Sequence, residues 1–424
     1  MTPEIRKTAT FGGVAVALVL LTWVTEPHVS TPEVFAERGA VLFPEFKDAN
    51  EAASLEVIEF DAQSATVRPF KVQNRSGRWT IPSHFDYPTD ARDRLAQTAG
   101  GIIALRSEDF ASDSISDHER MGVLDPLDTT LPTLSGRGAR VIVRGAKEEV
   151  LADVIVGNPV AGRQGFRYIR RPRQRRVYIS NTGKLQTSTS FADWIDRDLL
   201  QVGPLEIDAI NLRNYSLDRT TGAVNPGETI LLTKSGTEWT LDGLRPGQTL
   251  SLEAVDGLLR NLAGLRIEGV LPKPAGVSSA LALAGPSATL NDADVAELRR
   301  KGFYLAQNGQ LVSNRGEIVV RTTAGLFYTL RFGDVALGTE LPTTSGVAQS
   351  GSPAQADAAP RENRYLFIAV DHSPSDARTP AQGADGAEKI KVLRPRFAPW
   401  YYIISANATQ ALQISRNDLV QSRP

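Results

Sequence analysis

GEIVVRTTAGLFYTLRFG, residues 316–333, alternates apolar and polar side chains through two short runs. That period of two is the pattern of antiparallel strands with one buried face. The same order of features stands earlier in the chain. Glu317-Ile-Val-Val320 echoes Arg140-Val-Ile-Val143, and Leu326 to Gly333 echoes the strand that ends at Gly157. Working outward, Arg364 to Val370 matches the strand around Tyr168, and Trp400 to Ser405 matches Val177 to Ser180. Trp239 follows Trp79 by 160 residues, each inside a Gly-containing turn and short strand. A helix is expected over Thr89 to Leu105, with Leu95, Ala99 and Ile102 on one face, and a second over Leu252 to Leu265. Leu205 to Ile210 is aligned with the strand at Leu55, and Asp196 to Gln201 with Ser415 to Gln421.

These echoes predict an α+β protein: an N-terminal transmembrane helix, then two related modules, each a mainly antiparallel sheet with one or two helices. The expected boundaries are a cytoplasmic tail at 1–7, an anchor at 8–25, a linker at 26–53, module 1 at 54–203 and module 2 at 204–424. Module 2 is the longer copy. Its Ala-, Gly-, Ser- and Pro-rich stretches at 338–362 and 374–387 read as flexible insertions.

The anchor rests on Thr8 to Thr25, which holds no charge and follows Arg6 and Lys7. As a helix it would span about 27 Å, close to the thickness of a bilayer core. Basic residues before it place the N-terminus in the cytoplasm. The competing reading is a cleaved signal peptide, but TWVTEPHVSTPEV lacks a small-x-small site. Under both readings the bulk of the chain is extracytoplasmic, periplasmic on a bacterial inner membrane.

Composition removes several classes of chemistry. With 424 residues, no Cys and 4 His, the chain has no thiol chemistry and little scope for metal ligation. A net charge of -1 gives no bulk attraction to nucleic acid. No phosphate-binding Gly loop, G-x-S-x-G or H-E-x-x-H occurs, and no cofactor is expected. Asp371-His372-Ser373 has triad residue types, but neighbours on a strand diverge. His84 and His118 read as surface histidines. The stretch from Ser107 to Glu119 is acidic but lacks the spacing of a calcium loop. Asp196 and Asp198 would serve a carboxylate-based hydrolase only in a cleft, and Arg197 between them reads as a structural ion-pair residue. Trp79, Trp239, Trp194 and Trp400 read as repeated core contacts.

The sharpest local feature is GRQGFRYIRRPRQRRVYI, residues 162–179. Arg163, Arg167, Arg170, Arg171, Arg173, Arg175 and Arg176 form a candidate interaction patch for carboxylates or phosphates. The plainer reading is a solvated hairpin whose arginines pair with Glu148, Glu149 and Asp153. The second copy lacks the cluster, so the module fold does not require it.

GAVLFPEF (39–46), the Gly-Arg-Trp strand, HERMGVLDP (118–126), FADWIDRDLL (191–200) and KGFYLAQNGQLVSNRGEIVVRTTAGLFYTLRFG (301–333) together resemble the domain of unknown function numbered four-three-four-zero. The resemblance covers nearly all of the chain beyond residue 39. It implies a single-pass exported protein, often encoded beside gliding-motility-type ABC transporter permeases and their auxiliary subunits. It brings no catalytic residue. The expected function is a non-catalytic, membrane-anchored interaction protein, accessory to an ABC-type transporter or surface assembly. The alternatives are a glycan- or lipid-binding module and, further off, a carboxylate-based hydrolase.

Overall fold

The computed structural model describes residues 38–89, 92–183, 185, 187–218, 223–283, 290–306, 309–336 and 363–422. The expected anchor at 8–25 and the expected insertion at 338–362 lie outside the described residues. Among the described residues no helix is long and apolar enough to cross a membrane.

The chain is α+β with mainly antiparallel sheets. Its first half forms β1 (Ser54–Asp61), β2 (Thr66–Arg75), β3 (Arg78–Ile81), β4 (Tyr87–Pro88), β5 (Asp109–Ser112), β6 (Ala139–Arg144), β7 (Val150–Pro159), β8 (Phe166–Arg170) and β9 (Val177–Asn181). Helices α1 (Arg92–Ile103) and α2 (Asp117–Met121) flank β5. The second half has β10 (Ile207–Arg213), the ribbon β11 (Ser216–Leu217) and β12 (Val224–Asn225), β13 (Thr229–Ser235), β14 (Glu238–Leu241), β15 (Gln248–Leu250) and β16 (Gly269–Pro272). It continues with β17 (Phe303–Leu305), β18 (Leu311–Ser313), β19 (Glu317–Thr322), β20 (Leu326–Val335), β21 (Arg364–His372), β22 (Trp400–Ile404) and β23 (Val420–Ser422). Its helices are α3 (Leu252–Ala263), α4 (Ala275–Leu283), α5 (Asp292–Arg300), α6 (Pro380–Phe397), α7 (Ala406–Leu412) and α8 (Arg416–Leu419).

The nine-stranded sheet runs β4-β3-β2-β1-β6-β7-β8-β9-β5, and the eight-stranded sheet runs β14-β13-β10-β19-β20-β21-β22-β16. Apart from the two-residue β4, the orders correspond strand for strand. Register carries the correspondence to single residues. Val143 faces Leu55 and Ala152, as Val320 faces Ile210 and Tyr328. Trp79 pairs with Asn74, as Trp239 pairs with Lys234.

Each sheet carries a helix on its core face. Ser251 caps α3 by accepting from the Ala254 amide, and Val255, Leu258, Leu259 and Leu262 are buried. Each such side chain contributes about 1.5–3 kcal/mol on burial. Leu95, Ala99 and Ile102 of α1 do the same in the first half. The two interiors merge into one core, with Tyr87 and Trp400 in edge contact at 5.1 Å. Satellite clusters lie on the opposite sheet faces, around Val123 in the first half and Phe303 in the second.

Four expectations change here. Residues 38–53 are not linker, because Leu42 and Phe46 are buried and the Leu42 amide donates to Leu105 O at 2.9 Å. Leu199 repeats that bond to Leu265 O at 3.1 Å, so the segment ending module 1 is the lead-in of the second repeat. The counterpart of Leu55 is Ile210, which faces Leu232 as Leu55 faces Val72, while Leu205 is 84% exposed on a short turn. Finally, 374–387 is a 3-10 turn and the start of the 18-residue α6. Thr379 caps that helix on the Gln382 amide and Pro380 occupies its first turn. Gly386 lets it close on Ala324 and the His372 ring, where a side chain would collide.

Candidate interaction site

The arginine-rich segment forms the turn after β7, then β8, the connection 171–176 and the start of β9. Its acidic partners are not Glu148, Glu149 and Asp153. Glu148 lies nearest Lys71 and Arg144, and Asp153 binds Arg140 at 2.6 Å. They come instead from the acidic stretch after α1, because β5 pairs with β9. Arg163 binds Asp109 at 2.7 Å and approaches Glu108 at 3.8 Å, and Arg176 approaches Asp113 at 3.9 Å. The other carboxylates of that stretch are engaged locally: Asp117 accepts from Ser112, and Glu119 from Thr133 and Ser135.

Two more arginines hold backbone. Arg167 Nε donates to Gly157 O at 2.7 Å. Arg170 is 7% exposed and donates to Val123 O and Gln174 O, each at 2.9 Å. Burial pushes both guanidinium groups below their usual pKa. Neither can serve a partner. Arg171 is half-buried with its guanidinium 5.1 Å from the Phe43 ring centre. Arg173 and Arg175 are exposed and make no ion pair with a described carboxylate.

The tip is well positioned. Arg173 has φ 63, a left-handed conformation that turns the chain after Pro172. His118, buried beneath it, donates from Nε2 to Arg175 O at 2.7 Å. Burial is the main cause lowering the His118 pKa, so the neutral donor persists. His118 and His84 are thus interior groups, contrary to the surface reading.

Beside this tip lies a groove of about 600 Å³ between Phe43–Glu45, Val150–Asp153 and Arg171–Gln174. Its wall holds the Asp125–Arg140–Asp153 ion-pair network, with Arg140 3.0 Å from Asp125 and its pKa raised, chiefly by the hydrogen bonds it donates to Asp153. Val150 on the rim is 57% exposed. Of the groove residues the sequence singled out Arg171 and Arg173 as interaction candidates, but not the groove they line. The available signal was the second copy, which places Ile368 and Val370 where the first has Arg171 and Arg173.

The remaining candidates are structural. Arg197 binds Glu268 at 2.8 Å, and Asp198 lies 3.9 Å from Arg266. Trp194 is fully buried and stacks on Phe70, while Trp79 and Trp239 are half-buried against the core. Among the described residues no group of three His, Asp or Glu is arranged to hold a metal ion.

Residues 79–285 match the DUF4340 family, a domain of unknown function. The family is the one the sequence resembles, but the match is shorter than the resemblance: the motifs at 39–46 and 301–333 lie outside it. The match runs from β3 through the arginine tip into the second repeat. No curated protein and no solved structure matches the chain.

Proposed function

We propose that the chain is a non-catalytic, membrane-anchored interaction protein, held by residues 8–25 in the bacterial inner membrane with its folded part outside the cytoplasm. Its partner is an ABC-type transporter permease or auxiliary subunit. The observation that carries this reading is the tip of the arginine hairpin. Arg173 and Arg175 remain exposed and unpaired with carboxylates of the described residues beside an open groove, while Arg163 and Arg170 are consumed by the fold. The uncharged run from Thr8 to Thr25 supports the anchor, and the choice of partner rests on what the sequence resemblance implies.

The test is co-purification from gently solubilised membranes. Arg173→Ser with Arg175→Ser should leave stability within about 0.5 kcal/mol, as exposed changes usually do. Arg170→Ser is the contrast and should cost about 1.5–3 kcal/mol, because it strips charged hydrogen bonds from the buried Val123 carbonyl and from the Gln174 carbonyl. The double variant should lose its co-purifying transporter subunits, and residual binding should be less salt-sensitive. Unchanged partners at unchanged salt tolerance would remove the tip as the contact surface.

A further inference from the structure

The two repeats differ at one place in their sheets. In the second, β21 runs on to His372, so Leu326, Phe327, Tyr328, Thr329 and Leu330 pair with His372, Asp371, Val370, Ala369 and Ile368. In the first, the matching ladder starts only at Ile155 with Arg170. Val150 to Val154 therefore have no partner strand on that side among the described residues. The cause is in the sequence. Pro172 cannot donate to a ladder, Arg173 takes a left-handed φ of 63, and Arg170 turns its side chain to Val123 O. The connection peels away from β7, and the groove of about 600 Å³ opens between them.

The start of the gap is open to solvent. Val150 is 57% exposed, whereas Leu326 at the matching chain position is 2% exposed, while Ala152 and Val154 keep their side chains in the core. The residues flanking the gap also change character. Ile368 and Val370 are buried at 0% and 5%, and the first repeat has Arg171 and Arg173 at the matching chain positions.

Resting on the reading of this tip as a contact surface, we propose that the open edge of β7 at Val150–Val154 accepts an extended segment of a protein partner as an added strand. An unpaired strand edge in a groove offers a row of backbone donors and acceptors, which is the chemistry of strand addition. Specificity comes from the alternating side chains. Apolar ones rest beside Val150 and Phe43, and carboxylates face Arg171 and Arg173. The second repeat fills the same position with its own chain, which is why it carries no arginine there. An anionic lipid or glycan would use the charges but not the edge.

A peptide pair separates these contacts. The probes are Val-Glu-Val-Glu-Val-Glu and the same peptide N-methylated at alternate amides, which keeps its charge and removes backbone donors. Binding to the full-length, detergent-solubilised chain is read by fluorescence anisotropy. The unmethylated peptide should bind at least tenfold more tightly, and Arg173→Ser should weaken it severalfold. Equal binding of the two peptides, or binding of neither, overturns strand addition. If that happens while the Arg173/Arg175 variant still loses its membrane partners, the contact reading stands and only the added strand falls.

Discussion

Gly157→Val and Gly333→Val should each destabilise the protein by about 3 kcal/mol, the upper end of what forcing extra atoms into a filled interior costs. These glycines occupy one position in two copies. Gly157 lies on β7 against the segment that closes α2, where an added Cβ would collide with Met121 O and stand 2.6 Å from a Val123 methyl. Gly333 lies on β20 against the segment after α5, where a Cβ would collide with Lys301 O and stand 2.8 Å from the Phe303 ring. Met121-Gly-Val123 and Lys301-Gly-Phe303 are the same device, a helix end pressed onto the sheet, and each seats one satellite cluster. Both obstacles are main-chain carbonyls, so neither can rotate away. Gly257→Ala is the control: nothing lies within 4 Å of its Cβ on α3, and helix propensity should raise stability by about 0.5–1 kcal/mol. Urea unfolding of the three variants checks this. A large penalty at only one of the two strand positions would mean that the repeats are not built alike there.

The protein should also lose about 3 kcal/mol of stability between pH 6.5 and pH 4 through one histidine. His84 is fully buried, stacked on Phe191 at 4.1 Å between nearly parallel rings, with Phe70 at 6.2 Å. Its Nδ1 meets Ser83 Oγ at 3.0 Å and its Nε2 has no hydrogen-bond partner. Burial pushes its pKa from 6.5 down to about 4. The folded pKa is the depressed one, so between these values the unfolded chain binds the extra proton. Stability from this group is therefore whole above pH 6.5 and is lost as pH falls toward 4. A shift of about 2.5 units corresponds to about 3 kcal/mol. Carboxylates such as the half-buried Asp117 and the exposed Glu119, whose pKa values hydrogen bonds lower, also weaken the fold in acid. Subtracting the His84→Phe curve from the parent curve isolates the histidine. Parallel curves from pH 7 to pH 4 would show that His84 does not titrate with folding.

How far the sequence reached depended on what each signal encodes. The echo of residues 316–333 in the first half falls on the correct strands and residues, because alternation and a strand-end glycine mark both faces and register. The echo at Leu205 slipped by five residues against Ile210. An odd slip exchanges the faces of a strand, and only the hairpins Arg75-Ser-Gly-Arg78 and Ser235-Gly-Thr-Glu238 set the register there. The helix α6 reads as loop because its glycines lower helix propensity, yet they are what allow it to approach the sheet. Within the arginine patch, charge density was legible, but the fate of each guanidinium was not. Arg170 and Arg173 are alike in sequence, and the fold buries one on carbonyls and turns the other outward.

The central claim is that the first repeat holds open, for a partner, the strand position that the second repeat fills with its own chain. Amide hydrogen exchange of the full-length protein, free and in the complex recovered from solubilised membranes, tests it most directly. The prediction is at least tenfold slower exchange within Val150–Val154 in the complex, with slowing across 171–175 and none within Leu326–Leu330. Unchanged exchange at Val150–Val154 in a complex that protects other surfaces would contradict it.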